Sequence, residues 1–289
     1  MAAGHKASIV YTVDAFYVSE AIESIRIIAV LFDTHCHFDF DVFAPDFERE
    51  YQSSQLAGVQ KIVLPSVDSS NWQRVMDLSS RYVGIYYALG IHPRFIDSNY
   101  HQQISSLQRQ LVKRDPRCVA IGECGLDFSS EVSQSVQEEI LSTQILLAID
   151  YKLPLILHCR KSHNRLIQII KRHKFSCGGI LHGFTGSFEQ AMEWVKMGFF
   201  IGVGGSITYP RAAKTRKAIA QLPLSALVLE TDAPDMPICG YQGLNNHPKY
   251  LPLVLKELVL LRMESAQTVS LALWKNSHQA LKICEITPI

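Results

Sequence analysis

The stretch IIAVLFDTHCHFD, residues 27–39, joins an apolar run to a cluster of acidic and imidazole side chains. From Ile27 to Phe32 there is no alternation with polar residues. Continuous apolar character of strand length marks a strand covered on both faces, as in parallel sheets. A membrane span would need about 18 such residues. The polar residues follow at once, and His35 and His37 are two positions apart, so on an extended chain they point the same way.

Outward from this stretch the same unit recurs. Apolar runs at 27–33, 61–67, 84–91, 118–122, 155–157, 179–181, 199–203 and 226–229 each end in a polar or glycine-containing turn. An amphipathic stretch follows each one. Val136, Ile140 and Leu147 share a helical face with Leu141, Ile145 and Ala148 beside them. Ser187 with Gln190 three residues on predicts a capping box; Ala191, Trp194 and Val195 form the apolar stripe behind it, and Gly198 is placed to end the helix. Eight strand-then-helix units predict an α/β fold of the TIM (β/α)8 barrel type rather than a doubly wound sheet with a second domain. No linker, low-complexity tract or internal repeat interrupts them, so residues 27–289 read as one barrel. Residues 1–26 show no strong period and read as a loosely attached N-terminal extension.

Composition narrows the function. The 289 residues carry 28 Lys and Arg against 27 Asp and Glu, a formal charge of +1, with 47% hydrophobic and 19% charged residues. That balance excludes a disordered chain, a collagen-like chain and a protein that coats nucleic acid by bulk positive charge. Seven scattered cysteines without a C-x-x-C pair do not form a disulfide framework in a chain of this length, which predicts a cytoplasmic protein. No membrane span is expected, and no basic-then-apolar leader opens the sequence.

Residues at the C-terminal ends of barrel strands converge on one mouth, where such folds place their active sites. Here these ends carry DTHCH (33–37), GIHP (90–93), GECGLD (122–127), HCR (158–160), HGF (182–184) and ETDAP (230–234). A lone HxH is weak evidence for a metal, but His35 and His37 coincide with Glu123, His158, His182 and Asp232, each at its own strand end. Four imidazoles and two carboxylates exceed what one tetrahedral ion takes. A bridging carboxylate would let two ions sit roughly 3.5–4 Å apart.

The neighbouring groups have plainer readings beside the functional ones. His92 either contacts substrate or hydrogen-bonds a ligating carboxylate. Asp33 orients the HxH loop or caps a turn, and Glu230 and Asp127 support ligands or start helices. Cys36, Cys124 and Cys159 alternate with the candidate ligands, so they face the other way and pack. His5, His101, His163, His173, His247 and His278 read as surface or packing residues. Two basic loops follow strands five and seven, at 160–165 and 209–217. Arg160 and Arg211 lie nearest the strand ends and are the candidates for an anionic substrate, since the guanidinium fork binds two phosphate oxygens at once.

Together these motifs, with LHGFTG (181–186), GVGGSITYP (202–210) and LETDAPDMP (229–237), resemble the TatD-type metal-dependent deoxyribonucleases, within the wider amidohydrolase-like hydrolases. The resemblance runs from about Phe32 to the C-terminus and is nearest the YjjV-like branch. It implies a TIM barrel with His35, His37 and Asp232 on one divalent ion, His158 and His182 on the other, and Glu123 shared. It also implies hydrolysis of phosphodiester bonds in DNA.

The expected chemistry is metal-assisted hydrolysis, with Asp232 as proton acceptor from the attacking water and Glu123 setting the spacing between ions. The mixed imidazole and carboxylate set leaves Mg, Mn and Zn open. An amidohydrolase or esterase acting on a carbonyl substrate is the alternative, against which the basic loops argue. A non-catalytic metal site would be closed and drawn from local segments, unlike these scattered residues.

Overall fold

A computed structural model describes residues 30–284. The expected extension at 1–26, and residues 27–29 of the first apolar run, lie outside the described residues. Eight strands form one sheet in the order of the sequence, with every neighbouring pair parallel. They are β1 (Leu31–Asp33), β2 (Val59–Pro65), β3 (Ile85–Leu89), β4 (Cys118–Asp127), β5 (Leu155–Arg160), β6 (Gly179–Leu181), β7 (Phe199–Val203) and β8 (Leu227–Leu229). The sheet closes on itself where Thr34 donates its N–H to Leu229 O at 2.9 Å and its hydroxyl to the same oxygen at 2.8 Å. The closure continues above the strands through Asp232 N–H to His35 O and His37 N–H to Ala233 O. This is the (β/α)8 barrel.

Burial on both faces explains the uninterrupted apolar runs. Phe32, Val63, Ala88, Ala120, Ile156, Ile180 and Val228 pack together inside the barrel, with half-buried Phe200 against them. Residues alternating with these, among them Ile62, Leu64, Tyr87, Leu89, Ile121 and Leu157, face outward into the larger core beneath the helices.

The helices are α1 (Phe47–Leu56), α2 (Trp72–Arg81), α3 (Tyr100–Val112), α4 (Gln134–Tyr151), α5 (His163–Arg172), α6 (Phe188–Lys196), α7 (Ala213–Gln221), α8 (Leu251–Leu260) and α9 (Ala266–Ala280). The capping box of α6 is present: Gln190 N–H bonds Ser187 Oγ at 3.3 Å and Ser187 N–H bonds Gln190 Oε1 at 3.0 Å. Such a cap contributes about 1 kcal/mol. Ala191 and Trp194 are the buried stripe, and Gly198, at φ +85°, turns the chain into β7. Trp274 and Leu281, from α9 and the residue after it, pack against the barrel interior. Among the described residues no helix is long and apolar enough to cross a membrane.

Two strands are longer than the apolar pattern indicates. β4 runs on to Asp127 rather than stopping at 122, and β5 runs on to Arg160 rather than stopping at 157. Polar ligand-type residues and glycines fill the extra length, so hydropathy alone reads it as a turn. The register between the two shifts between Ile121 and Cys124 and then resumes from Cys124–Leu157 to Asp127–Arg160. Gly125 permits that pairing: at φ +145° a Cβ there would lie 2.0 Å from His158 O.

Candidate metal centre

The extension of β4 places Glu123, 2% exposed, inside the barrel mouth. Its backbone N–H bonds Ser66 O at 2.9 Å, at the end of β2. The carboxylate then divides its neighbours between its two oxygens. Oε2 lies 3.2 Å from His35 Nε2 and 3.3 Å from His37 Nε2. Oε1 lies 2.9 Å from His158 Nδ1, 2.7 Å from His182 Nε2 and 3.3 Å from His92 Nε2. Asp232 Oδ1 closes the first side, 3.4 Å from His35 Nε2 and 3.8 Å from His37 Nε2. All six residues expected to gather do so.

The donor set suits divalent cations. His35, His37 and Glu123, and likewise His35, His182 and Asp232, bring ligand atoms within 4.8 Å of one another, as do His92, Glu123 and His158. His35 Nε2 is buried and makes no well-formed hydrogen bond, yet two carboxylate oxygens converge on it. A buried lone pair beside converging carboxylates is the arrangement a cation satisfies.

The surrounding residues hold these side chains in place. Asp33 Oδ1 accepts the backbone N–H of Thr231 at 2.9 Å and that of His35 at 3.3 Å, and Oδ2 accepts the Thr231 hydroxyl at 2.6 Å. Asp33 thus caps the turn that leads into the HxH loop and ties that loop to Thr231. Asp127 Oδ2 faces His158 Nε2 at 3.5 Å, while Oδ1 accepts the N–H and hydroxyl of Ser129. His158 therefore presents Nδ1 to the cluster and is backed by a carboxylate. Glu230 Oε1 accepts the N–H of Gly183, just past His182. Asp232 sits at φ +58°, a left-handed conformation that an aspartate tolerates better than most residues.

Electrostatics follow from burial opposed by these contacts. Burial works to raise the Glu123 carboxyl, but the charges of His182, His92 and His35 and the His158 bond hold it well below the usual carboxylate range. Burial works to lower His37 and His182, and Glu123 outweighs it, raising them to about 9 and about 10. At His35 burial prevails and the imidazole stays well below its ordinary value. Burial also pushes Asp33 up to about 7 and Glu230 up to about 8.

The centre opens into a cavity of about 670 Å³. His92 lies on its wall as well as against Glu123, so it touches both the carboxylate and the substrate space. Arg160 lines the cavity as expected. Arg211 does not: the 3-10 turn Gly205–Thr208 after β7 carries it into a smaller depression of about 290 Å³, where it stacks 4.8 Å above the Tyr209 ring. Cys36 and Cys124 are fully buried and burial pushes both thiols up, as packing cysteines require. His247 and His278 pack within the protein, with Nε2 of each 2.8 Å from Glu50 and Lys61 respectively.

Several contributors escape a reading of strand ends alone. Phe40, Arg94, Phe95 and Asp235 line the cavity from loops. Arg94 and Phe95 directly follow GIHP, and Asp235 lies within ETDAPD, so adjacency to a motif was the available signal. Gln137 and Gln144 of α4 are subtler. Gln144 exchanges two hydrogen bonds with the backbone of Ile91, at 2.8 and 3.0 Å, and Gln137 does the same with Asp127. Two glutamines seven residues apart on a buried helical face were their signal.

A closed parallel barrel whose mouth gathers five imidazoles and two carboxylates defines a metal-dependent hydrolase. Residues 32–282 match the family model of TatD related DNase, and the chain belongs to that family. It is 44% identical over 252 residues to the uncharacterized metal-dependent hydrolase YjjV of Escherichia coli (strain K12), covering 87% of this chain and 97% of that protein. The crystal structure of the Escherichia coli protein matches with a TM-score of 0.85 over 88% of this chain and 98% of that one. The chain is also 31% identical over 244 residues to the 3'-5' ssDNA/RNA exonuclease TatD of Klebsiella pneumoniae (strain 342), covering 82% of this chain and 92% of that protein.

Proposed function

We propose that this chain is a deoxyribonuclease that hydrolyses phosphodiester bonds with two divalent ions, Mg, Mn or Zn, sharing Glu123. The division of neighbours between the two Glu123 oxygens carries this reading. His35, His37 and Asp232 would hold one ion and His158 and His182 the other. Such ions supply Lewis acidity to a phosphoryl oxygen and make a bound water acidic enough to ionise near neutral pH.

The protein's own groups do the rest. Asp232, with 14% of its side chain exposed, reaches the cavity and takes the proton of the attacking water. Arg94 and Arg160 face the same space and bind the anionic substrate, and His92 orients the reacting diester beside Glu123. Phe40 and Phe95 give the bases apolar faces to stack on. The exonuclease name of the Klebsiella pneumoniae relative supports nucleic acid as substrate. Seven free cysteines support a cytoplasmic setting.

The test is cleavage of single-stranded and duplex DNA by purified protein supplied with Mg, Mn or Zn. Activity with at least one ion, abolished in Glu123→Ala, is expected. Absence of cleavage with every ion, or full activity in Glu123→Ala, contradicts the reading.

A further inference from the structure

A second cavity, of about 780 Å³, adjoins the metal centre and shares Cys159, Arg160, His182, Gly183 and Thr185 with the first. The turn after β5 adds Lys161 to its lining, and the start of α7 adds Lys214. Both lysines are exposed. Arg165 in the same lining is bound to Glu138 by two hydrogen bonds. Three cations, Arg160, Lys161 and Lys214, thus line a space that opens into the catalytic cavity, none of them in an ion pair within 4 Å among the described residues, although the charge of Lys214 reaches the exposed Glu189. Among the described residues no acidic side chain lines it.

The strand sets the spacing. His158 and Arg160 are two residues apart on β5 and so project from the same side, about 6.6 Å apart along the strand at 3.3 Å per residue. That is a length an unstacked nucleotide unit can span. A chain with its reacting phosphate beside Glu123 and His158 would lay its next phosphate at Arg160, with Lys161 and Lys214 beyond.

We propose that this cavity is a subsite for the neighbouring phosphates of a single-stranded nucleic acid, which makes the enzyme prefer chains of several nucleotides over an isolated diester. The proposal rests on the nuclease reading above and adds where the rest of the chain lies. Free inorganic phosphate offers the same chemistry, so the experiment must separate the two sources.

Binding of fluorescein-labelled oligothymidylates, two to eight nucleotides long, is measured by anisotropy in EDTA, where no cleavage occurs, over a salt series. For the wild-type protein, affinity should increase with length, and inorganic phosphate at equal phosphate concentration should compete poorly. In Lys161→Ala/Lys214→Ala the octamer should bind at least tenfold more weakly. The slope of log K against log salt should become shallower by about 1.4, from about 0.7 per lost phosphate contact on a single strand. Octamer affinity and salt slope equal to wild type would overturn the proposal, as would equal competition by inorganic phosphate. Cleavage with Mg, Mn or Zn is read separately. Length-dependent binding with no cleavage counts against the nuclease reading and leaves the subsite standing, while cleavage with variant-insensitive binding does the reverse.

Discussion

Asp33 and Thr231 stand 198 positions apart in sequence and meet through two hydrogen bonds, one of 2.6 Å from the Thr231 hydroxyl and one of 2.9 Å from its backbone N–H. They join the end of β1 to the end of β8 beside His35 and Asp232. This contact adds side-chain bonds to the backbone bonds that close the barrel seam, and it helps to align two candidate ligands. In Thr231→Val the shape is kept and the hydroxyl is lost. Metal affinity should fall about 10- to 100-fold, the range seen when groups supporting a ligand are removed. Stability should drop by about 1–3 kcal/mol, since the buried Asp33 carboxyl loses a hydrogen-bond partner. Calorimetric metal titration and urea unfolding check both.

Gln144 acts at the opposite side of the mouth. Its side-chain amide satisfies both the N–H and the C=O of Ile91, the residue before His92. Gln144→Leu leaves both buried groups unpaired, at about 1–3 kcal/mol each. The urea midpoint should fall, and catalysis should fall with it as His92 loses its anchored neighbour. A midpoint equal to wild type would show that Gln144 does not anchor the strand end.

Much of this architecture is legible in the sequence, and the gaps have physical causes. Strands covered on both faces must be continuously apolar, so eight runs stand out; His35 and His37 share a direction because a strand repeats every two residues. The stretch from Glu123 to Asp127 hides its strand because the mouth of the barrel buries polar groups beside glycines, as at Gly125. Arg211 shows the converse. Its distance from a strand end in sequence does not reveal that the turn Gly205–Thr208 redirects the chain onto Tyr209. Gln137 and Gln144 are invisible to a search for strand-end chemistry because they act through backbone from a helix.

Phe95 is 45% exposed and packs edge-on to His92, with ring centroids 5.5 Å apart, at the cavity wall. If a base stacks there, its loss costs about 1–3 kcal/mol. Phe95→Ala should therefore raise KM for single-stranded DNA about 5- to 150-fold with a smaller change in kcat. Steady-state kinetics distinguish this from a change confined to kcat, which would assign Phe95 to the chemical step instead.

Stability should depend on pH through His247, away from the metal centre. Burial and the charge of Lys249 push this imidazole from 6.5 down to about 4, against the pull of Glu50. The hydrogen bonds agree, since Nδ1 accepts the Lys249 N–H at 2.9 Å and is not free to bind a proton. Between pH 6.5 and 4 the unfolded chain takes up a proton that the folded one refuses. Its contribution is intact above pH 6.5 and is lost as pH falls through this window, by at most about 1.4 kcal/mol per pH unit. Unfolding of His247→Gln across that range should show a shallower pH slope than wild type; an identical slope would contradict the assignment.

Glu123 joins the two halves of the site, because one oxygen faces His35 and His37 and the other faces His158 and His182. The most direct test is an anomalous difference map from crystals of the protein grown with Mn. Two peaks are expected, one against each Glu123 oxygen and roughly 3.5–4 Å apart, as in two-metal sites. A single peak, or peaks that leave Glu123 uncoordinated, would contradict a two-ion site shared at Glu123.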